Sequence, residues 1–166
     1  MTAQPPEITV KKSVKPPYEL VCSSTHLFKR LGMEIKEAYR EAFEEAGASP
    51  FWYSVLAVLE ENPPETQATI ADSLGYDRSW LVGLLDELEE KGLIERRRDP
   101  DDRRRHLVTL LPAGKQQLAE LRTVSKRVED EFLAPLDPAQ RATLQTLLLQ
   151  LASHHDPRYA PGNGKS

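Results

Sequence analysis

Residues 66–111 read TQATIADSLGYDRSWLVGLLDELEEKGLIERRRDPDDRRRHLVTLL, and the order of periods inside this stretch decides the architecture. Thr66 is placed to cap a short helix that Gly75 ends. Asp77 then caps a second helix, whose apolar face is Leu81, Leu84, Leu85 and Leu88 and which Lys91-Gly92 closes. Two helices joined by a few residues around Gly75 predict a helix-turn-helix. The period then changes. LIERRR and RHLVTLL are short, β-leaning runs on either side of Asp99-Pro100-Asp101-Asp102, a turn signal. Two strands with a polar tip directly after a helix-turn-helix predict a wing.

Working outward, Leu20, Ser24, Leu27, Leu31, Ile35, Ala38 and Ala42 recur at helical spacing, with Phe28, Tyr39 and Phe43 widening the stripe. One long helix ending near Gly47 is expected. Ser49 and Pro50 then open a helix with Phe51, Val55, Leu56 and Leu59 on its buried face, stopped by Pro63-Pro64. After the wing, Pro112 starts a helix marked by Leu118, Leu121, Val128 and Phe132 and running through about Leu133. Asp137, Pro138 and Gln140 begin a last one with a capping box and the stripe Leu144, Leu147, Leu148, Leu151. The fold class is therefore mainly α with a small two-stranded β wing. Residues 1–17 are an N-terminal arm, 18–48 and 112–153 dimerisation helices, 49–111 the winged helix-turn-helix region, and 154–166 a flexible tail. The flanking helices carry more apolar stripe than one subunit easily buries, and a symmetric dimer is the economical solution.

Composition sets the frame. The chain has 166 residues, is 39% hydrophobic and 29% charged, and carries a formal net charge of -4, which fits a globular protein. Apolar runs are too short to span a membrane and no signal peptide is seen, so the cytoplasm and no membrane partner are expected. Cys22 is the only cysteine, which excludes an internal disulfide and a cysteine-cluster zinc site. Gly-rich phosphate loop, nucleophile elbow and HExxH zinc motif are all missing, so neither an enzyme nor a cofactor is expected. Against the acidic background, Arg96–His106 packs six arginines and three aspartates around the wing tip. Arg96–Arg98 end one strand, Asp99-Pro100-Asp101 turns the chain, and Arg103–Arg105 start the return strand.

The short helix ending in Leu-Gly, the following helix ending LEEKGLIERR, the DPDDRR turn and the AGK helix start together resemble the core of MarR-type bacterial transcription regulators. With the flanking helix order the resemblance covers about residues 18–153. It implies a homodimeric winged helix-turn-helix regulator, most often a repressor, that binds palindromic promoter DNA and is released by a small ligand or an oxidant.

The candidate residues follow. The second helix of the motif presents free N–H groups and a positive dipole end, and its first residues can reach base edges in a major groove. These are Asp77 as cap, Arg78, Ser79, Trp80, Val82 and Gly83. Trp80 and Gly83 depart from the family's usual small hydroxylated and polar or basic residues. Either they let the helix sit closer to DNA, or Trp80 packs on a neighbouring helix and Gly83 makes room for it. In the wing, Arg97, Asp102, Arg103, Arg104 and Arg105 are the candidates. The resemblance implies that Asp102 pairs with Arg96 or Arg97 while Arg103 or Arg104 enters the minor groove or holds a phosphate. Thr66, Gln67 and Thr69 can contact phosphate, or simply cap their helix. For sensing, His26, Arg30, Tyr39, Trp52 and Tyr53 suit a small aromatic or phenolic effector, although aromatics at helical spacing also read as plain core. Cys22 resembles the oxidisable cysteine of the organic-hydroperoxide-sensing branch, but about one turn early, and a lone cysteine also reads as a small hydrophobe. His154-His155-Asp156 lacks spaced partners, and no metal is expected. A protein-binding winged helix is the competing class, and the arginine-rich tip argues against it.

Overall fold

The computed structural model describes residues 14–61, 65–102 and 104–160. The chain divides into two compact units, the first ending at Glu37 and the second beginning at Ala38. In the first, the expected single helix is broken. Helix α1 spans Tyr18–Val21 and α2 spans Ser24–Glu45. The break lies at Cys22-Ser23, because Ser23 acts as a helix cap. Its hydroxyl accepts from the His26 amide at 3.3 Å and its carbonyl from the Leu27 amide at 3.0 Å.

The second unit holds the core. Helix α3 (Pro50–Glu61) starts on the Ser49 cap as its sequence dictates. The expected buried face needs one correction. Phe51 is 44% exposed and Trp52 is buried in its place. The indole N–H of Trp52 donates to Glu87 Oε2 at 3.3 Å and the Lys91 ammonium lies 5.0 Å from its ring centre, so its polar edge is partnered without leaving the core. Helix α4 (Gln67–Leu74) and helix α5 (Arg78–Glu90) form the helix-turn-helix. Thr66 Oγ1 accepts from the Thr69 amide, Asp77 Oδ1 accepts from the Trp80 amide, and Gly75 ends α4 at φ 68°, a conformation that suits glycine. Leu81, Leu84, Leu85 and Leu88 of α5 are buried against α3 and α4 residues including Val55, Leu56, Leu59 and Ile70, as the 3.6-residue period requires.

The sheet has three strands rather than two. Strands β2 (Ile94–Arg98) and β3 (His106–Leu110) form the hairpin, with Ile94 opposite Leu110 and Arg98 opposite His106. A two-residue strand β1, Glu65–Thr66, pairs with the other edge of β3. A helix N-cap has extended torsions, and Thr66 at φ -83° and ψ 154° uses them for the ladder as well as for the cap. Two residues are too few to show a period of two.

Helix α6 (Pro112–Phe132) buries Gly114, Leu118, Leu121 and Val128. Its first turn lies on the backbone at the entry to β2, where the Leu111 amide donates to the Leu93 carbonyl at 3.0 Å. Helix α7 (Pro138–His155) opens with the expected capping box. The Gln140 amide donates to Asp137 and the Asp137 amide to the Gln140 side chain. No residue of α7 is buried, and Leu147, Leu148, Leu149 and Leu151 are exposed.

Past the expected start of the tail at His154, helix α7 continues to His155. A 3-10 turn, Pro157–Tyr159, is capped by Asp156 and brings Arg158 to the end of α4. There its guanidinium donates to the carbonyls of Asp72 at 3.0 Å and Ser73 at 3.4 Å, while Asp156 holds it from behind. Those carbonyls are the ones a helix end leaves without partners. A side chain at Gly75 would place its Cβ 2.8 Å from the same guanidinium. Residues 161–166 and Pro63-Pro64 lie outside the described residues.

Candidate nucleic-acid interface

Four elements of the second unit build the candidate surface: the start of α4, the outer side of α5, the hairpin β2–β3 and its tip. On α5 the residues opposite the buried leucines are exposed. Ser79 and Gly83 are four apart and stand one above the other, with Trp80 on one flank and Val82 on the other. Arg78 reaches back to Asp72 of α4, with Nη2 3.1 and 3.2 Å from its two carboxylate oxygens, and both side chains are exposed.

Trp80 is half-exposed, but it is not loose. Its ring meets Phe51 edge-on at 4.8 Å and Tyr76 at 5.2 Å between centroids, and Phe51 and Tyr76 meet at 5.8 Å. These are favourable aromatic geometries. One half of the packing alternative thus describes the chain, since Trp80 does rest on α3 and the turn. The other half is overturned: a Cβ on Gly83 would meet no atom within 4 Å, so this glycine makes room for nothing inside the subunit.

The wing is tied to α5 by Arg96. Its Nε and Nη2 donate to Glu89 Oε2 at 2.9 and 2.6 Å, Nη2 also reaches Asp86 Oδ1 at 2.6 Å, and its amide donates to Glu89 Oε1 at 2.9 Å. Arg96 is only 18% exposed. Its hydrogen bonds hold the Glu89 carboxyl below the ordinary glutamate range despite partial desolvation, and the same bonds raise the Arg96 guanidinium. The sign of the pH effect follows. A carboxyl whose folded pKa is depressed contributes stability above its unfolded value and loses it as pH falls through the folded value. Between pH 6 and pH 3 the urea midpoint of the native chain will therefore fall more steeply than that of Glu89→Gln, and the native chain's advantage will close below about pH 4.5. Parallel curves would remove this bond from the account of the wing.

At the tip the pairing differs from expectation. Asp102 does not pair with Arg96 or Arg97. It accepts from Arg104 Nε at 3.3 Å and forms an ion pair with Arg105 Nε at 3.3 Å, while Arg97 pairs with Glu95 at 2.9 Å. The return strand starts at His106, not at Arg103. The reason is local. Asp99 and Asp102 each accept a backbone amide two residues on, from Asp101 at 2.9 Å and Arg104 at 3.0 Å, and the Arg105 amide closes on the Asp102 carbonyl at 2.8 Å. Such aspartate turns compete with strand pairing. Arg104 and Arg105 are left projecting from the tip, and Arg103 lies outside the described residues.

The start of α4 faces this tip across a groove of about 660 Å³ lined by Thr66, Gln67, Thr69, Arg104, Arg105, His106 and Arg158 among others. The hydroxyls of Thr66 and Thr69 are 2.6 Å apart and complete the helix cap, whereas Gln67 faces the groove. Sequence reading missed the Glu89–Arg96 bond, His106 and Arg158. The Glu89–Arg96 bond and the reach of Arg158 to α4 had no local signal, since Glu89, Asp72 and Ser73 lie on other elements.

The remaining candidates are dispersed. In the first unit Cys22 ends α1 exposed, and Arg30 pairs with Glu34 at 2.5 Å. In the second, the Tyr39 hydroxyl bonds Ser125 Oγ at 3.0 Å and its ring stacks on Phe43, which also meets Tyr53. His154 and His155 pack edge to face at 5.0 Å, and among the described residues no group of side chains is arranged to hold a metal. No described helix is long and apolar enough to cross a membrane.

A capped helix pair, a three-stranded sheet with a projecting arginine tip and long flanking helices define a winged helix-turn-helix protein. Known proteins place it more narrowly. A family model described as MarR family matches residues 47–105. A Thauera aromatica protein named as a putative transcriptional regulatory protein for the hcr operon is 40% identical over 105 residues, a match covering 63% of each chain, so less than two thirds of that relative's length is spanned. The solved structure of the transcriptional repressor CouR, bound to a 23-mer DNA duplex, is 32% identical with a TM-score of 0.76, over 84% of this chain and 99% of that one. The regulator PcaV from Streptomyces coelicolor, in complex with its natural ligand, is 27% identical with a TM-score of 0.68, over 86% and 100%. The chain belongs to the MarR family.

Proposed function

We propose that the chain is a DNA-binding transcriptional repressor that grips a palindromic promoter site as a homodimer, with α5 in the major groove and the wing tip at the adjacent minor groove. The observation that carries this reading is the concentration of Arg97, Arg104 and Arg105 on a hairpin anchored to α5 in a chain of net charge -4. Arginines concentrated at the wing tip of a chain with net negative charge give local phosphate attraction without a general affinity for polyanions. The duplex in the CouR structure supports it. The homodimer is supported by the exposed apolar side chains of α7 and, on α2, of Leu27, Phe28 and Leu31. Release by a small-molecule effector is supported by the natural ligand in the PcaV structure.

The deciding experiment is an anisotropy titration of the full chain on DNA upstream of its own coding region, at two salt concentrations. Binding will weaken steeply with salt. In Arg104→Ala/Arg105→Ala it will be weaker at low salt, and the slope of log K against log salt will be shallower by about 0.9 for each phosphate that the variant no longer neutralises. A variant with native affinity and native slope removes the wing from the interface. Failure to bind any duplex better than bulk DNA sinks the whole reading.

A further inference from the structure

The outer side of α5 is poor in hydrogen-bonding groups. In its first two turns, Arg78, Ser79 and the indole N–H of Trp80 are the side-chain donors there, and Arg78 is held by Asp72 at 3.1 Å. Gly83 contributes bare backbone with open space where a Cβ would stand. On either side of this glycine rise two apolar side chains, Trp80 at 45% and Val82 at 41% exposure. Trp80 is fixed edge-on by Phe51 and Tyr76, so it presents one face at little cost in side-chain entropy. Val82 has a stiff χ1 in a helix. The surface is thus two rigid apolar ridges with a notch between them.

Base pairs show a major groove one apolar feature among their hydrogen-bonding groups, the C5-methyl of thymine, and apolar side chains read it by contact. Resting on the DNA-binding reading above, we propose that Trp80 and Val82 are specificity-determining residues that read thymine methyl groups, with Gly83 letting the helix backbone come close enough for both to touch. Recognition at these positions rests on shape and methyl contact rather than on paired hydrogen bonds. Arg78, turned toward α4, orients the helix on a phosphate.

The test uses the full-length protein and a duplex enriched from a random pool by binding to it. Thymines of the enriched half-site are replaced one at a time by uracil, which lacks only the methyl group, and affinity is read by anisotropy. At one or two positions per half-site the native protein will bind uracil about fourfold less tightly, the scale of one buried methyl. Val82→Ala will lose the discrimination at one such position while keeping the native melting temperature, which guards against a fold effect. Trp80→Ala will lose it at another. Equal binding of thymine and uracil at every position, or unchanged discrimination in both variants, overturns the proposal while the DNA-binding reading stands. If no duplex is enriched, the DNA-binding reading itself fails and this inference falls with it.

Discussion

Gly114→Ala will destabilise the folded chain by at least about 3 kcal/mol, a loss found only where a core or backbone contact is broken. Gly114 is buried in the first turn of α6, pressed against the entry to β2. A Cβ there would collide with the Leu93 carbonyl oxygen and stand 2.6 Å from Leu110 Cδ1. The leucine methyl can turn aside, but the carbonyl cannot, because it also accepts the Leu111 amide that joins α6 to the sheet. Gly83→Ala is the internal control. It adds the same methyl to open space on an exposed helix, where alanine is favoured over glycine by about 1 kcal/mol. Urea midpoints will therefore move in opposite directions for the same chemical change. A Gly114→Ala protein with a native midpoint would show that α6 does not lie on the Leu93 carbonyl.

In the proposed homodimer, Leu147→Glu/Leu151→Glu will leave a monomer in sedimentation and lower affinity for a palindromic site by at least about 100-fold. These leucines are four residues apart on one side of α7, and Leu147 is 53% exposed. Two carboxylates placed between facing copies of this helix would be desolvated without partners. A palindrome gains its affinity from two linked half-site contacts, and unlinking them removes an effective-concentration advantage of about 10² to 10⁴. The winged unit will keep its helical spectrum, since its core runs from Phe43 to Leu121 and includes no residue of α7. A variant that stays dimeric and binds as the native protein does would move the dimer contact away from α7.

Much of the fold was legible because it was written in short-range signals. Thr66, Gly75, Asp77, Asp137 and Gln140 act within four residues of themselves, and each cap is where its neighbours demand it. The leucines of α5 follow the 3.6-residue period because one face alone is buried. What was not legible depends on partners distant in sequence. Phe51 and Trp52 have equal claims to an apolar face. The choice is made by Glu87 and Lys91 on another helix, which offer the indole a hydrogen bond and a cation. The break at Ser23 was hidden because leucines continue at helical spacing across it. At the candidate interface, the positions of Arg78, Trp80 and the wing arginines followed from the motif, but their pairing did not. Asp102 was free in principle to bond any of several arginines, and the aspartate turns at the tip put Arg104 and Arg105 nearest. The AGK sequence at the start of α6 marked a helix, while the reason for its glycine lay in the carbonyl of Leu93.

The contact between Arg158 and the end of α4 carries a consequence for the order in which the protein is made. Chains emerge from the ribosome N-terminus first, at about 5–20 residues per second. Asp72 and Ser73 are therefore exposed for several seconds before the side chain that covers their carbonyls has been synthesised, 86 and 85 residues later. The helix-turn-helix thus reaches its finished state only after translation has passed residue 158, and the nascent chain carries an incomplete reading head until then.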